Sequence, residues 1–350
     1  MKGRVVVLGQ LAGAEAAALM VDGQLEDLIL DTGRCVPFGP GAILRGTVGR
    51  LVKGQGGAFV RLPGGETGFL RDRNRLSEGQ SLLVQVSGVA EPGKALPLTA
   101  RLLFRGRYAI VTPGAAGVNV SRAIRDTEIR DRLTALGEAA MARLPDAGAI
   151  LRSAAAGADE DDIRAELEGL ADLAARILAD STGAPELLLD APDPAEAAWR
   201  HWAVPAPDSV EEGDDAFILS GAADAVEALA QPRITLPGGG HAMIEPTHAL
   251  VAIDVNTGTD GTPAAALKAN IALARDLPRQ LRLRGLGGQV VIDFAPIPRR
   301  DRGTLEQVLR AAFRHDGAET TLVGWTTMGL FELNRKRDRL ALTRWLAAAP

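Results

Sequence analysis

Two stretches in the last third of the chain deliver carboxylates. HALVAIDVNTG carries Asp254 and, two residues later, the amide Asn256, while GGQVVIDFAPI carries Asp293. Both are β-branched and apolar ahead of the acid, the pattern of short strands. Side chains two apart on a strand share a face, so Asp254 and Asn256 project side by side. A bare carboxylate at the end of a core strand is costly to desolvate unless a positive group meets it. An oxygen-only donor set selects Mg2+ or Mn2+ over zinc. Such ions bind phosphates and activate water, which points to phosphoryl transfer or phosphodiester hydrolysis. A nuclease, a phosphatase and a nucleotide-dependent enzyme share that signature, although no GxxxxGK[ST] loop is present to cradle a triphosphate. One strand-end aspartate alone would read as a turn or helix-cap residue. Two in equivalent positions shift the balance to a metal pair, Asp254 and Asp293.

The elements that must position this pair form one unit. PAAALKANIALARDLPRQLRLRG lies between the two stretches with helical spacing and an expected kink or break at Pro278. Strand, helix and strand in sequence predict a βαβ unit with parallel strands and a right-handed crossover. Both aspartates then sit at the C-terminal ends of their strands, where open α/β sheets place their ligands. At a strand spacing of about 4.8 Å they can share one divalent ion.

Composition bounds the rest. With 350 residues, 46% of them hydrophobic, the chain can bury two or three cores. No apolar run reaches the length of a membrane span and the first residues read as a folded domain, so no membrane association and a cytoplasmic location are expected. The single cysteine, Cys35, permits no internal disulfide or cysteine zinc site and reads as an apolar filler.

The net charge of −5 is unevenly spread. Residues 41–103 hold nine Lys and Arg against four acids, and residues 231–350 hold sixteen against eleven, whereas residues 154–230 hold nineteen acids against three Arg. Basic surfaces at both ends are free to meet a polyanion, and the acidic middle reads as a solvated face or linker.

Residues 1–40 read as N-terminal strands broken by glycine turns. Residues 41–103 show short alternating strands between Gly-rich turns, the pattern of a small barrel. Phe59 and Phe69, beside Arg61, Arg71 and Arg73, are either stacking platforms for unpaired bases or filling of the barrel interior. Residues 104–180 read as a connecting region whose signal turns helical from 121 to about 180, and 181–232 read as an acidic, Pro-rich connecting segment, with Trp199 and Trp202 anchoring it. Residues 233–350 hold the βαβ unit.

LVAIDVNTGT, LPRQLRLRGLGGQVVIDF and MGLFELNRKR, in this order, resemble the catalytic core of the ribonuclease E/G family, bacterial endoribonucleases that cut single-stranded RNA. AALMVDGQLEDLILD is similar to the family's opening strands, GAILRGTVGRLVKGQGGAFVRLPGGETGFL to its inserted S1 domain, and GRYAIVTPGAAGVNVSRAI to a connecting segment. The resemblance implies an α/β fold, an RNase H-like mixed-sheet core with an inserted S1/OB-type β-barrel and a helical connecting region. It implies catalytic roles for Asp254, Asp293 and Asn256, with the two aspartates holding magnesium. It implies RNA contacts at Phe59, Phe69 and Lys94, the last otherwise a solvated turn residue. It places Gly106, Ile110, Arg152 and Ser153 near the family's 5′-monophosphate sensor, with Ser153 where the family has threonine. Cleavage would leave 5′-phosphate and 3′-hydroxyl ends.

The departures carry expectations of their own. The family's larger members continue into a cysteine zinc link and a small dimerisation domain, and this chain has neither, so no zinc and a monomer or weak homodimer are expected in place of a zinc-linked tetramer. Thr327 stands where the family generally has arginine, with Arg335 and Arg337 nearby in sequence. The basic barrel and RQLRLRG are expected to neutralise the RNA backbone. The expectation is a magnesium-dependent endoribonuclease. The alternative is an RNA-binding or ribosome-assembly factor of the same lineage with little nuclease activity, and a phosphoesterase for a small metabolite ranks last.

Overall fold

Alternating apolar residues near the N-terminus form a meander of β1 (Arg4–Leu11), β2 (Ala14–Val21) and β3 (Gln24–Leu30) in a computed structural model that describes residues 2–52, 54, 56–71, 76–314 and 316–349. The two-residue turns Ala12-Gly13 and Asp22-Gly23 have positive φ at both positions, the backbone twist that a tight hairpin requires. Next, β4 (Ile43–Val52), β5 (Gly57–Arg61), β6 (Thr67–Leu70), β7 (Ser81–Val86) and β8 (Leu96–Thr99) close a five-stranded barrel in the order β4-β5-β6-β8-β7, with β4 pairing back to β7. Leu44, Val60, Leu70, Val84, Leu96 and Leu98 fill its interior.

A third layer holds β9 (Phe104–Arg105), β10 (Ala109–Pro113), β11 (Gly117–Val120) and β12 (Ala147–Leu151), packed by α1 (Thr127–Met141) and α2 (Glu160–Ala179). The densest acidic run is the N-terminus of α2. Asp159 caps it and Glu160, Asp161 and Asp162 occupy its first turn, where negative charge complements the helix dipole, while Ile163, Leu167, Ala171 and Ala174 are buried.

The segment 181–232, read as connecting structure, is folded. It contributes β13 (Glu186–Leu189), which pairs with β4, then α3 (Pro194–Trp202), β14 (Ser209–Glu212), which runs parallel to β1, α4 (Ala216–Leu219) and α5 (Ala222–Ala230). Prolines and acids that interrupt every period here mark boundaries: Asp193 caps α3 and Pro194 occupies its first turn, where a missing N–H costs nothing. Trp202 is 3% exposed against one face of the N-terminal sheet, and its indole N–H donates to Asp27 Oδ2 at 3.0 Å. Trp199 packs beside it. On the opposite face lie α4 and α5, with Cys35 partly buried among apolar side chains.

The remaining chain forms β15 (Arg233–Thr235), β16 (His241–Pro246), β17 (Val251–Asn256), α6 (Pro263–Leu283), β18 (Gly288–Asp293), α7 (Arg299–Phe313), β19 (Thr320–Trp325), β20 (Phe331–Arg335) and α8 (Leu342–Ala347). Its sheet runs β15-β16-β17-β18-β20-β19, with β17 and β18 parallel. The mixed α/β core therefore consists of two separate sheets, and the N-terminal strands do not join the strands that carry Asp254 and Asp293. Helix α6 covers the six-stranded sheet with Leu273, Leu277 and Leu281 and reaches the N-terminal layer with Leu283. It continues through Pro278 without a break. Proline in a helix interior costs about 3 kcal/mol, which is offset where neighbouring leucines each gain about 1.5–3 kcal/mol on burial. Among the described residues no helix is long and apolar enough to cross a membrane.

Candidate active site

Strand register brings the two carboxylates together. Asp254 is the direct partner of Asp293 in the parallel pair β17–β18. Along β17, Val251, Ile253 and Val255 are buried against the helices, while Asp254 and Asn256 are exposed; along β18, Val290 and Ile292 are buried and Asp293 is exposed. The expectation of a carboxylate desolvated at the end of a core strand is thus corrected. The strands are covered by α6 and α7 on one face only, and the acids stand on the other, where water carries the solvation cost. Asn256 Nδ2 donates to Asp254 Oδ2 at 2.5 Å, which fixes one carboxylate oxygen and leaves the other lone pairs free. Beyond the strand ends the chain turns into α6, capped by Thr262, and into α7, so both helix N-termini lie at this end of the sheet.

The donor set fits a hard cation. Two adjacent carboxylates with an orienting amide suit magnesium, which keeps several waters and takes one or two protein carboxylates. Among the described residues no group of three or more His, Cys, Asp and Glu side chains has metal-binding geometry.

His241 was missed by sequence reasoning. On β16 it lies directly opposite Asn256, and Met243 lies opposite Asp254, so both share the open face with the acids. The ring's Nδ1 is buried with no hydrogen-bond partner. Alternation in HAMIEP, with Ala242 and Ile244 buried, was the available signal. Glu332 on β20, opposite Val291, places a further carboxylate on the same face.

Phe59 and Phe69 are direct cross-strand partners on β5 and β6, with ring centroids 5.4 Å apart in an edge-to-face contact. Their neighbours Ala58, Val60, Gly68 and Leu70 are buried, so the rings stand on the outside of the barrel and do not fill it. The Arg50 guanidinium lies 5.1 Å from the Phe59 ring, and Arg61 and Arg71 are exposed nearby; Arg73 lies outside the described residues.

Lys94 is exposed and paired with Glu91, which also accepts from Arg337 at 2.6 Å. The Lys94 hydrogen bond, aided by the Arg337 and Lys94 charges, holds the Glu91 carboxyl below its usual range against the opposing effect of desolvation. Arg337 packs beside Gly288, the first residue of β18, while Asp293 is the last. At about 3.3 Å per residue the two ends are roughly 17 Å apart. The structure places Lys94 at the opposite end of this strand from the carboxylates.

Gly106, Ile110, Arg152 and Ser153 do converge. Arg152 Nη1 donates to Gly106 O at 2.7 Å, Ile110 pairs with Ile150 on the neighbouring strand, and Ser153 opens a short 3-10 turn immediately after Arg152. Glu166 of α2 organises this turn, accepting from the backbone N–H groups of Arg107, Tyr108 and Ala109 at 2.8, 2.7 and 2.9 Å. Burial, with the nearby Arg105 charge, lowers the pKa of Arg152 from its ordinary value.

The arginines of RQLRLRG are engaged inside the protein, contrary to the expectation that they meet RNA. Arg279 pairs with Asp276, Arg282 with Glu26, Asp27 and Asp316, and the buried Arg284 donates to the Leu229 and Gln231 carbonyls. Arg335 pairs with Asp316 and Arg337 with Glu91, so neither is a free replacement for a cation at exposed Thr327. These pairs fasten the C-terminal sheet to the N-terminal layer and to the barrel.

The chain is similar over most of its length to known proteins. The sequence profile of the Ribonuclease E/G family matches residues 104–212 and 206–338. Ribonuclease E of Nostoc sp. is 29% identical over 382 residues, covering 93% of this chain and 54% of the relative. Ribonuclease E of Haemophilus influenzae is 30% identical over 307 residues, covering 76% of this chain and 32% of the relative. Ribonuclease G of Escherichia coli is 27% identical over 360 residues, covering 85% of this chain and 73% of the relative. The chain spans about half the length of the cyanobacterial relatives it matches. With its barrel, its two-sheet α/β core and a family match over most of its length, the chain belongs to the ribonuclease E/G family.

Proposed function

We propose that this chain is a magnesium-dependent endoribonuclease that cuts single-stranded RNA. The observation that carries the reading is the register pair Asp254–Asp293 on an open sheet face, with the Asn256 amide on Asp254. Magnesium bound by the two carboxylates would supply Lewis-acid stabilisation of the scissile phosphate and a water of lowered pKa. Asp254 and Asp293 would bind and place the ion, and Asn256 would hold the Asp254 carboxylate in one orientation. The exposed sheet face gives an extended strand room to lie across the acids, and no deep pocket is needed. The outward Phe59 and Phe69 rings, with Arg50, Arg61 and Arg71 around them, supply a stacking and electrostatic surface for bases and phosphates. Products are expected to carry 5′-phosphate and 3′-hydroxyl ends. A monomer or weak homodimer acting in the cytoplasm, with no zinc, completes the reading.

The test is cleavage of a 5′-labelled A/U-rich single strand with magnesium and with chelator. Wild type is expected to cut only with the metal, and Asp254→Asn with Asp293→Asn to bind without cutting. The placement of Lys94 away from the acids favours a second reading, an RNA-binding or ribosome-assembly factor with little nuclease activity. Wild type that binds several RNAs in magnesium and cuts none would establish that reading instead.

A further inference from the structure

The first turn of α7 contains Arg299, Arg300 and Arg302 against a single acid, Asp301. This charge is the wrong sign for a helix N-terminus, where unpaired N–H groups and the macrodipole favour anions. Pro298 at the cap position gives no side-chain hydrogen bond to relieve it. Helix α2 shows the self-sufficient solution, with three acids in its first turn.

The exceptional turn stands at the end of the sheet that carries Asp293, with five residues between the strand and the helix. Among the described residues Arg299 and Arg302 have no carboxylate partner. Arg300 reaches Asp301 only at 3.8 Å, with 84% of its side chain exposed. The contrast is with Arg279, Arg282, Arg335, Arg337 and Arg339, all of which are paired.

Arg302 is also held in place. Its guanidinium carbon lies 4.3 Å from the centroid of the Trp325 ring, and its Nε is buried without a partner. Trp325 in turn packs on Phe294 at 5.8 Å, and Phe294 is the residue after Asp293. A guanidinium, an indole and a phenyl ring thus meet on the helix-covered face at the sheet end that carries Asp293, with Phe294 and Asp293 on opposite faces. Stacking pre-orients the planar cation, so less side-chain entropy is lost when its remaining N–H groups meet an anion.

We propose that Arg302, assisted by Arg299 and Arg300, is a substrate-positioning cluster that holds an RNA backbone phosphate beside the scissile one. The binding surface offset by this phosphate is the uncompensated positive turn, and Trp325 sets the guanidinium plane. The positioning role rests on the ribonuclease reading, whereas the phosphate contact itself does not require cleavage.

Binding of a fluorescent single-stranded RNA is measured in chelator, across a salt series, for wild type, Arg302→Gln, Arg302→Lys and Arg300→Gln. Each lost phosphate contact reduces the slope of log affinity against log salt by about 0.7, and Arg302→Gln is expected to bind about tenfold more weakly at low salt. Arg300→Gln leaves the Trp325 stack intact and guards against a folding artefact, while Arg302→Lys keeps the charge and should retain part of the affinity. Oligonucleotides with a single neutral methylphosphonate are then scanned along the strand. Wild type should weaken at one or two linkages, and Arg302→Gln should be indifferent at those same linkages. Unchanged slopes with identical linkage profiles in all variants would overturn the proposal and leave Arg302 as packing on Trp325. Wild type that binds with the expected profile but never cuts the same RNA once magnesium replaces the chelator overturns the nuclease reading and keeps the phosphate contact; wild type that does not bind RNA overturns both.

Discussion

Arg335 pairs with Asp316 with only 2% and 1% of their side chains exposed. Asp316 also accepts from Arg282 of α6 at 2.8 Å, so one buried carboxylate serves two guanidiniums from different elements. Removing one member of a buried charged set leaves the others uncompensated, at a cost of about 3–5 kcal/mol. Asp316→Asn is therefore expected to lower the unfolding free energy by an amount of that order, seen as a lower urea midpoint with the m-value unchanged. A midpoint equal to wild type would mean that water already screens both arginines.

That arrangement also explains how far the sequence could be read. Asp254 and Asp293 were legible because a βαβ unit fixes parallel strands, and period two fixes which side chains share a face. The same arithmetic did not say which face was covered, since an apolar strand in a one-sided sheet and one in a two-sided sheet begin alike. The basic run RQLRLRG shows a different loss: charge along a sequence does not record the carboxylates brought from residues 26, 27 and 316. Lys94 fits this pattern too, because its place relative to Asp293 depends on how the barrel docks, through Val89 N–H on Arg337 O at 3.2 Å. Segment 181–232 looked like a linker because its elements are short, and their pairing partners lie in β1 and β4, far away in sequence.

Asn256 is not itself a charged ligand, and its single hydrogen bond to Asp254 makes a separate prediction. Outer partners of metal ligands commonly contribute 10- to 100-fold in metal affinity or activity. Asn256→Ala is expected to raise the magnesium concentration for half-maximal cleavage about tenfold or more, while RNA binding in chelator stays at the wild-type level. An unaltered magnesium dependence would assign the amide a purely structural role.

The outward Phe59–Phe69 pair makes a prediction opposite to that for a core residue. Truncating a phenylalanine in a barrel interior costs about 3–5 kcal/mol of stability, whereas a base-stacking ring gives about 1–3 kcal/mol of binding per base. Phe59→Ala and Phe69→Ala should weaken single-stranded RNA binding by about tenfold each and shift thermal unfolding by little. A large loss of stability with intact RNA affinity would return the rings to a packing role.

The pH dependence of folding should include a signature of His201, whose pKa is lowered from 6.5 to about 4, first by desolvation and then by the charges of Arg152, Arg339 and Arg105, with Asp27 opposing them. His201 is exposed at the surface, so solvent screens the charges around the ring and the share of this shift that reaches folding stability is small. Between pH 6.5 and about 4 the unfolded chain binds a proton that the folded chain refuses. This contribution to stability is therefore complete above about pH 6.5 and diminishes as the pH falls towards 4. Arg152→Gln removes the leading opposing charge and should move the His201 titration upwards while flattening the acid limb of the stability curve. Proton NMR of the imidazole in wild type and in Arg152→Gln checks both statements; an ordinary midpoint near 6.5 in wild type would show that the arginines do not act on this ring.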